Sequence, residues 1–433
     1  MEHTITIKKI IAGGKGMGTL PDGMVAMVAA VLPGETVVIR ETRVHRGYKE
    51  AALVRVVDAA PERVMPPCPY YGRCGGCDLQ HAAYPGQLLI KQQILRESLE
   101  RARLELPAGL PDATLPSPAA FGYRYRVRLH LDPAGQLGFH QHASNQVAPI
   151  QRCLLATDQL NRVIAGLCDG DWPQRLKERI EALELIHCPE TGRVILVLQP
   201  RPASPAPLDA ALVEELEILV DQVEQFRKTP GRDGGEANPV ADLSQHFNVL
   251  GRSYRLEWDH RCFFQVNPQQ NIQMIELALG LPTIGPRPFS ALDLFCGMGN
   301  FSVPLGLTGA RVTGIEHNRR SIHWAKQNSR QAGLPDARFI AFDVEQQLKM
   351  LVARNQRFDC ILLDPPRQGL GKASALLARL GPRRIISISC DPATLARDLR
   401  LIMDSGYRLA RITPVDMFPQ THHIESVALL ERN

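Results

Sequence analysis

Two side chains near the C-terminal end of this 433-residue chain have the chemistry of a nucleophile and a base. Cys390 ends the apolar run 384–390, which predicts a strand, and Glu425 lies in the apolar segment 423–431. A thiolate at the carboxyl end of a strand can attack an electrophilic carbon, and a carboxylate beside it can remove a proton. Taken singly, Cys390 is better explained as a packing thiol and Glu425 as a surface charge.

Three cysteines within ten residues form a second candidate site, which we interpret as metal-binding. Cys68, Cys74 and Cys77 are spaced as Cys-x5-Cys-x2-Cys, and Cys153 is the best candidate for a fourth ligand. Disulfide frameworks belong to short secreted chains, so these thiols predict a metal site in a reducing compartment. Four thiolates suit a [4Fe–4S] cluster or a structural zinc ion, and the spacing leaves both open.

The elements that must position Cys390 and Glu425 are predicted by the pattern after residue 290. Apolar runs alternate there with segments of helical period, which predicts a doubly wound α/β sheet. Two final runs joined by a short loop predict a terminal antiparallel hairpin. The carboxyl ends of parallel strands share one edge of such a sheet, where ligands bind. The seven runs are 291–295, 311–316, 337–343, 358–364, 384–390, 407–416 and 423–431.

A short glycine turn and three acidic residues predict a cofactor site at that edge. Gly297 and Gly299 follow the first strand, and Glu316, Asp343 and Asp364 end the second, third and fourth strands. A strand-end carboxylate accepts hydrogen bonds from ribose hydroxyls, and the turn lacks the third glycine of a dinucleotide site. The pattern favours S-adenosylmethionine, which carries a nucleoside but no phosphate, over a nicotinamide dinucleotide.

The loop after the fourth strand, LLDPPRQGL, narrows the expected chemistry. Methyltransferases that act on exocyclic amines tend to have an aromatic residue after Asp-Pro-Pro, where this chain has Arg367. Attack by the Cys390 thiolate on carbon 6 of a pyrimidine would instead make carbon 5 nucleophilic. Glu425 could then remove the carbon-5 proton, and elimination would release the thiol. A base within a duplex cannot enter such a pocket, so the target is expected to be single-stranded or flipped out.

Four motifs in the C-terminal half, DLFCGMGNFS, LLDPPRQGL, SISCDPATLARDL and HIESVALLER, resemble those of the RNA (uracil-5-)-methyltransferases. The resemblance implies that Cys390 is the nucleophile and Glu425 the base. It implies a [4Fe–4S] cluster rather than zinc on the four cysteines, with a structural or RNA-orienting function. Asp343 stands where asparagine is frequent in the family. The methyl-donor contacts that the resemblance implies are Gln265, Phe295, Asn300, Glu316, Asp343 and Asp364.

Two segments outside the catalytic half are candidates for RNA binding. Residues 1–62 contain β-rich runs between Gly and Pro turns, which predicts a small barrel of the oligonucleotide-binding type. The first 55 residues carry a net charge of +3, and the segment resembles a TRAM domain, which implies RNA binding. Arg124, Arg126 and Arg128 alternate with other residues in 123–132 and are predicted to share one strand face. That face could bind phosphates or could simply contact solvent.

The resemblance divides the chain into three domains. Residues 1–62 are expected to form the barrel, and 63–85 with 117–262 a central α+β domain that holds the iron–sulfur cluster. Residues 86–116 with 263–433 are expected to form the Rossmann-like methyltransferase domain, so the predicted helix that begins at residue 86 should pack on the catalytic sheet. The Pro- and Gly-rich stretches 200–210 and 229–239 are predicted to be loops.

The combination of barrel, cysteine motif and catalytic domain most resembles the branch of the family that methylates 23S rRNA. Methylation of tRNA by the same chemistry, and a non-catalytic RNA-binding function in assembly, are the alternatives. The N-terminal residues lack the apolar region of a secretory signal, and no run of about 18 apolar residues occurs. We therefore expect a cytoplasmic monomer without a membrane segment.

Overall fold

The computed structural model describes residues 2–202, 208–225, 241–280 and 288–433. The predicted loop 229–239 lies outside the described residues, as does the part of 200–210 between residues 203 and 207. Within the described ranges, every helix is too short or too polar to cross a membrane.

The N-terminal segment forms a closed five-stranded barrel in the order β1-β2-β3-β5-β4, which confirms the predicted barrel. Its inward side chains, among them Ile7, Val28 and Ile39, form a hydrophobic cluster of their own. The strands are β1 (Glu2–Ile10), β2 (Gly16–Thr19), β3 (Val25–Val28), β4 (Thr36–Val44) and β5 (Tyr48–Asp58).

Strand β2 overlaps the Gly-rich stretch AGGKGMG, residues 12–18, which the sequence predicts to be a turn between β-rich runs. A Cβ added at Gly16 would lie 2.3 Å from the Val31 side chain, and one at Gly18 would lie 2.7 Å from Ile5. The barrel wall is therefore too close to its contents for any larger residue at these positions. Glycine at these positions allows close packing within a strand. Its low strand propensity alone would predict a turn.

The barrel is joined to the rest of the chain by buried polar contacts. Glu35 is fully buried and accepts hydrogen bonds from the amide of Leu32 and from the guanidinium of Arg63, which follows the barrel. The His81 ring contacts the Val31 carbonyl at 3.1 Å. These contacts orient the barrel relative to the cysteine segment 68–81.

The central part of the chain forms a six-stranded sheet in the order β11-β10-β9-β6-β7-β8. Helix α2 packs on one face, and Leu129, Leu160 and Leu183 lie in the shared core. The elements are α1 (Tyr84–Arg101), β6 (Arg126–Leu131), β7 (Leu137–His140), β8 (Val147–Pro149), α2 (Asp158–Asp169), α3 (Trp172–Leu176), β9 (Ile180–His187), β10 (Val194–Pro200), α4 (Ala210–Leu216) and β11 (Gln222–Gln225).

A two-stranded sheet, β12 (Leu243–Val249) with β13 (Arg252–Trp258), connects the central sheet to the catalytic sheet. Ile195 of β10, Trp258 of β13 and Ile388 near the C-terminus belong to one buried cluster. Hydrophobic packing is therefore continuous across residue 262, where the predicted domain boundary lies.

The C-terminal part forms a seven-stranded sheet in the order β16-β15-β14-β17-β18-β20-β19, with β20 antiparallel to both neighbours. This confirms the predicted doubly wound sheet with its terminal hairpin. The elements are α5 (Pro268–Gly280), β14 (Phe289–Leu294), α6 (Ser302–Leu307), β15 (Ala310–Glu316), α7 (Arg319–Gln331), β16 (Arg338–Ala341), α8 (Val344–Ala353), β17 (Cys360–Leu363), α9 (Ser374–Leu377), β18 (Arg384–Ser389), α10 (Pro392–Met403), β19 (Tyr407–Val415) and β20 (Glu425–Arg432).

Helix α1 packs on the catalytic sheet, as the resemblance implies. Leu95 and Leu99 are fully buried and share a cluster with Leu399 of α10 and Leu409 of β19. Lys91 of the same helix forms a buried ion pair with Asp416, just after β19. The helix thus supports the strand that leads into the loop before Glu425.

Candidate active site

Cys390 lies at the turn between strand β18 and helix α10. The Asp391 side chain caps the helix by accepting hydrogen bonds from the amides of Ala393 at 3.0 Å and Thr394 at 2.8 Å, and Pro392 occupies the first helical turn. The sequence predicts this cap, because an aspartate directly before a proline is a typical start of a helix. The cap ends the strand abruptly and leaves Cys390 half-buried at the sheet edge rather than in the core.

Glu425 begins strand β20 next to Cys390. Ser389 and Ser426 are paired across β18 and β20, so the same antiparallel register brings Cys390 and Glu425 side by side one residue farther. Glu425 is only 5% exposed. The two residues that the sequence predicts as nucleophile and base are therefore brought together by strand pairing.

The surroundings disfavour negative charge on both side chains. Burial and the neighbouring Glu425 carboxylate raise the pKa of Cys390 to about 11. Burial, and then the charge of Asp364, raise the pKa of Glu425 well above its usual value. Arg367 acts in the opposite direction and lowers the pKa of both groups. Arg367 lies in the motif LLDPPRQGL, but the sequence alone does not predict that it lowers the pKa of Cys390 and Glu425.

A left-handed turn joins β14 to α6 and approaches the end of β15. Phe295, Gly297 and Gly299 all have positive φ angles, of 64°, 53° and 96°. The Gly297 amide donates to the Glu316 carboxylate at 3.4 Å, and the Asn318 amide donates to it at 2.8 Å. The predicted glycine turn and the strand-end acid therefore lie together.

A cavity of about 520 Å³ opens beside this turn, within the range of roughly 300–1,000 Å³ of small-molecule sites. Phe295 and Asp343 line it, together with His317, Pro366 and Lys372. One oxygen of Asp343 is already used, because it caps α8 by accepting from the Gln346 amide at 2.8 Å.

The remaining predicted cofactor residues, Asp364, Asn300 and Gln265, have different environments. Asp364 follows β17, and burial raises its pKa to about 7. Asn300 exchanges two hydrogen bonds with Asn271 of α5, at 2.8 and 3.0 Å, a partner that sequence reasoning missed. Gln265 is half-buried in the segment between β13 and α5.

The four predicted cysteine ligands line one common cavity of about 60 Å³, although Cys153 is distant in sequence from the other three. Tyr71 and Arg124 complete part of its wall. Burial raises the pKa of Cys77 to about 12 and also raises that of Cys74 and of Cys153. Among the described residues, no group of three His, Cys, Asp or Glu side chains is arranged to hold one metal ion.

The three predicted RNA-binding arginines have different environments. Strand β6 begins at Arg126, so Arg124 precedes it, lines the cysteine cavity and lies 5.9 Å from the centre of the Phe418 ring. Arg126 donates two hydrogen bonds to Glu184, at 2.8 and 2.9 Å. Arg128 is exposed. The predicted face of three free arginines is therefore not formed, because Arg124 precedes the strand and Arg126 is bound by the Glu184 carboxylate.

The sheet order, the glycine turn and the strand-end acids define the class of the protein. They form the fold of S-adenosylmethionine-dependent methyltransferases, extended by an antiparallel terminal pair. The sequence model of the family described as tRNA (Uracil-5-)-methyltransferase matches residues 240–433.

Two curated relatives extend this match over nearly the whole chain. The 23S rRNA (uracil(1939)-C(5))-methyltransferase RlmD of Pseudomonas putida is 35% identical, over 99% of this chain and 94% of its own. RlmD of Shewanella amazonensis is 34% identical, over 94% of this chain and 91% of its own. The chain therefore belongs to the RNA (uracil-5-)-methyltransferase family.

A solved structure has the same overall fold. The tRNA (uracil-54, C5)-methyltransferase of Pyrococcus abyssi, crystallised in complex with S-adenosyl-L-homocysteine, superposes with a TM-score of 0.74. The match covers 99% of both chains at 24% sequence identity. The similarity therefore extends to the barrel and the central sheet as well as the catalytic sheet.

Proposed function

We propose that this protein methylates carbon 5 of one uridine in 23S rRNA, with S-adenosylmethionine as the methyl donor. The observation that carries the proposal is the pairing of Cys390 with Glu425 at the sheet edge where the glycine turn and strand-end acids meet. A nucleophile and a base side by side are what carbon-5 methylation of uracil requires, because carbon 5 is too weakly nucleophilic to react unaided.

In the proposed mechanism, the Cys390 thiolate attacks carbon 6 of the uracil and forms an Sγ–C6 bond. Carbon 5 then gains the methyl group that S-adenosylmethionine supplies. Glu425 takes the proton from carbon 5, the Sγ–C6 bond breaks, and the thiolate is regenerated. Arg367 favours the ionised form of both groups, whose burial otherwise disfavours charge.

The methyl donor would be held at the edge formed by the ends of β14, β15 and β17. Glu316 would accept hydrogen bonds from the ribose, and the adenine would lie in the cavity that Phe295 and Asp343 line. Gln265, Asn300 and Asp364 would contact the amino-acid part of the donor. The volume of the cavity and its lining of apolar and charged side chains fit this group.

We also propose that Cys68, Cys74, Cys77 and Cys153 hold a [4Fe–4S] cluster. The four thiols surround a shared cavity, but no arrangement for one ion is found among the described residues. Four thiolates suit either a cluster or a zinc ion, and the resemblance to the iron–sulfur members of the family favours the cluster. Its function would be to join the segment 68–77 to Cys153.

The rRNA substrate is supported by the RlmD relatives, which match the barrel and cysteine segment as well as the catalytic part. RNA would be bound by the barrel and by Arg128, which is exposed, whereas Glu184 binds Arg126 and Arg124 lines the cysteine cavity. A uridine in a tRNA is the second candidate, because the full-length structural neighbour is a tRNA methyltransferase. The protein would work as a monomer in the cytoplasm.

The mechanism can be tested with RNA that contains 5-fluorouridine. Fluorine cannot leave carbon 5 as a proton does, so we expect a methylated adduct between Cys390 and the RNA that resists denaturation. Cys390→Ala should form no adduct, whereas Cys360→Ala, which alters a fully buried strand cysteine, should still form it. An equal yield from Cys390→Ala would contradict the proposed nucleophile.

Methyl transfer to protein-free 23S rRNA and to tRNA, measured side by side, identifies the substrate.

A further inference from the structure

The loop that leads into Glu425 is held by side chains from the cysteine segment. The segment 416–424 connects β19 to β20, and Gln420 adopts a left-handed conformation within it, with φ of 71°. The Gln420 carbonyl accepts hydrogen bonds from the amides of Asp78 at 3.1 Å and Leu79 at 3.0 Å. Gln420 and its neighbour Thr421 are almost fully buried.

Asp78 makes a second contact with the same loop through its side chain. One oxygen of its carboxylate accepts from the His422 amide at 2.7 Å, and the other oxygen contacts the His422 ring nitrogen Nδ1. His422 lies three residues before Glu425. Asp78 therefore binds the loop at two points just before the residue that we propose as the base.

The barrel contributes to the same junction. Gly14 has a φ of 76°, and a Cβ built on it would lie 3.0 Å from the Asp78 carboxyl carbon and 3.3 Å from Cβ of His422. The barrel turn therefore packs directly over the Asp78–His422 pair, and glycine is required there by both backbone conformation and space.

Two contacts connect this junction to the four-cysteine cavity. Tyr71, which lines the cavity, donates its hydroxyl to the Asp78 carbonyl at 2.8 Å. Arg124, which also lines the cavity, lies over the ring of Phe418 in the loop. Asp78 itself follows Cys77 directly. The cavity and the loop before Glu425 are thus parts of one packed unit.

We propose that Asp78 is a positioning residue for proton removal: it holds the segment 416–424 so that Glu425 meets carbon 5, and it makes this placement depend on the cysteine segment. This inference rests on the proposed function. Nucleophilic attack and methyl transfer do not require Glu425, whereas release of the product does. A displaced loop should therefore slow only the final step.

The test uses full-length protein, S-adenosylmethionine and rRNA with ordinary uridine. Wild-type protein should release methylated RNA and keep little adduct. Asp78→Ala should accumulate the denaturation-resistant Cys390 adduct and release product roughly 10- to 100-fold more slowly, as expected for a misplaced catalytic group. Asp78→Asn should be close to wild type, because its amide can still accept from the His422 backbone and donate to the ring.

The matched control is Asp112→Ala. Asp112 has a side-chain exposure of 27%, against 23% for Asp78, and it also makes two hydrogen bonds, with Arg411 and Thr413 of β19. Its loss should lower stability without adduct accumulation. Hydrogen exchange of the amides in 418–424 should increase in Asp78→Ala but not in Asp112→Ala.

Two further variants separate the possible failures. If Asp78→Ala does not fold, His422→Phe decides the question, since it removes the ring contact but keeps the backbone amide, and it too should accumulate adduct. Glu425→Gln must accumulate adduct in the same assay, or the proposed function itself is wrong. If Glu425→Gln accumulates adduct but the Asp78 and His422 variants release product at the wild-type rate, the positioning proposal is overturned and the proposed function stands.

Discussion

At the level of single residues, the proposed catalytic pair, Cys390 and Glu425, lies in surroundings that disfavour negative charge on either side chain. Burial and the Glu425 carboxylate raise the pKa of Cys390 to about 11, and burial raises that of Glu425. Each negative charge opposes the other, so the pair cannot easily ionise together. The positive charge of Arg367 reduces the free-energy cost of ionising either group. We therefore expect Arg367 to influence the pH dependence of the reaction.

Replacement of Arg367 tests this electrostatic effect. Its positive charge lowers the pKa of Cys390, so Arg367→Met should raise that pKa further and move the rising limb of the pH–rate profile to higher pH. Adduct formation with 5-fluorouridine RNA at a fixed pH below the limb should slow by up to roughly 10-fold, the effect of one pKa unit. The measurement is the rate of adduct formation between about pH 6 and pH 9, below the raised pKa of Cys390, where the rate increases with the thiolate fraction.

The matched control for Arg367→Met is Arg400→Met. Arg400 is also exposed, lies on the helix after Cys390 and pairs with Asp404 rather than with the catalytic residues. Its replacement should leave the profile in place. An unchanged profile in Arg367→Met would show that Arg367 does not stabilise the thiolate.

At the level of elements, the loop between β19 and β20 is anchored at its first residue by helix α1. Lys91 and Asp416 are both fully buried and form an ion pair, and Lys91 also donates to the Phe418 carbonyl at 3.0 Å. Removing one member of a buried pair leaves the other charge without compensation, which is more costly than losing the pair as a whole.

We expect Lys91→Ala to lower the free energy of unfolding by about 3–5 kcal/mol. Lys349→Ala, which removes an exposed ion pair with Glu345 on α8, should cost only about 0.3–0.5 kcal/mol. Lys91→Met combined with Asp416→Leu should recover much of the loss, because no buried charge then remains. Urea unfolding measures all three, and equal losses for the two alanine variants would refute the energetic importance of burial.

At the level of the whole molecule, the cysteine cavity joins parts of the chain that are distant in sequence. Cys68, Cys74 and Cys77 come from the segment after the barrel, whereas Cys153 precedes α2 of the central domain. A group bound to all four thiols would cross-link these parts and stabilise the assembly of barrel, central sheet and catalytic loop.

Anaerobically purified protein should therefore contain iron and inorganic sulfide and have the brown colour of an iron–sulfur protein. Cys153→Ser should lose the iron, and its thermal unfolding midpoint should fall. Cys168 is half-buried like the four proposed ligands, but its thiol donates to the Ile150 carbonyl and is not one of the four. Cys168→Ser should therefore retain the iron. Metal analysis that finds one zinc ion and no iron would refute the cluster.

Features that depend on short stretches of sequence were predictable. The alternation of apolar runs predicted the catalytic sheet and its terminal hairpin, and Asp391 before Pro392 predicted the helix cap that leaves Cys390 half-buried at the sheet edge. The motifs predict Cys390 and Glu425 as nucleophile and base, because their chemistry is specific when a cofactor turn accompanies them. The glycine strand β2 was missed, since its residues are chosen for close packing rather than for strand propensity.

The tertiary structure decided which side chains meet. The sequence predicts that Arg126 is available to RNA, whereas in the structure it donates hydrogen bonds to Glu184 of β9. The hydrogen bonds between Asn300 and Asn271 join two elements that are not adjacent in sequence. The Asp78–His422 contact links residues 344 positions apart. Local sequence determines backbone conformation through periodicity and capping, whereas such contacts form only when separate elements pack. The sequence by itself therefore determined the catalytic sheet and the candidate reacting groups, and the packing of barrel, cysteine segment and catalytic sheet decided how those side chains are held.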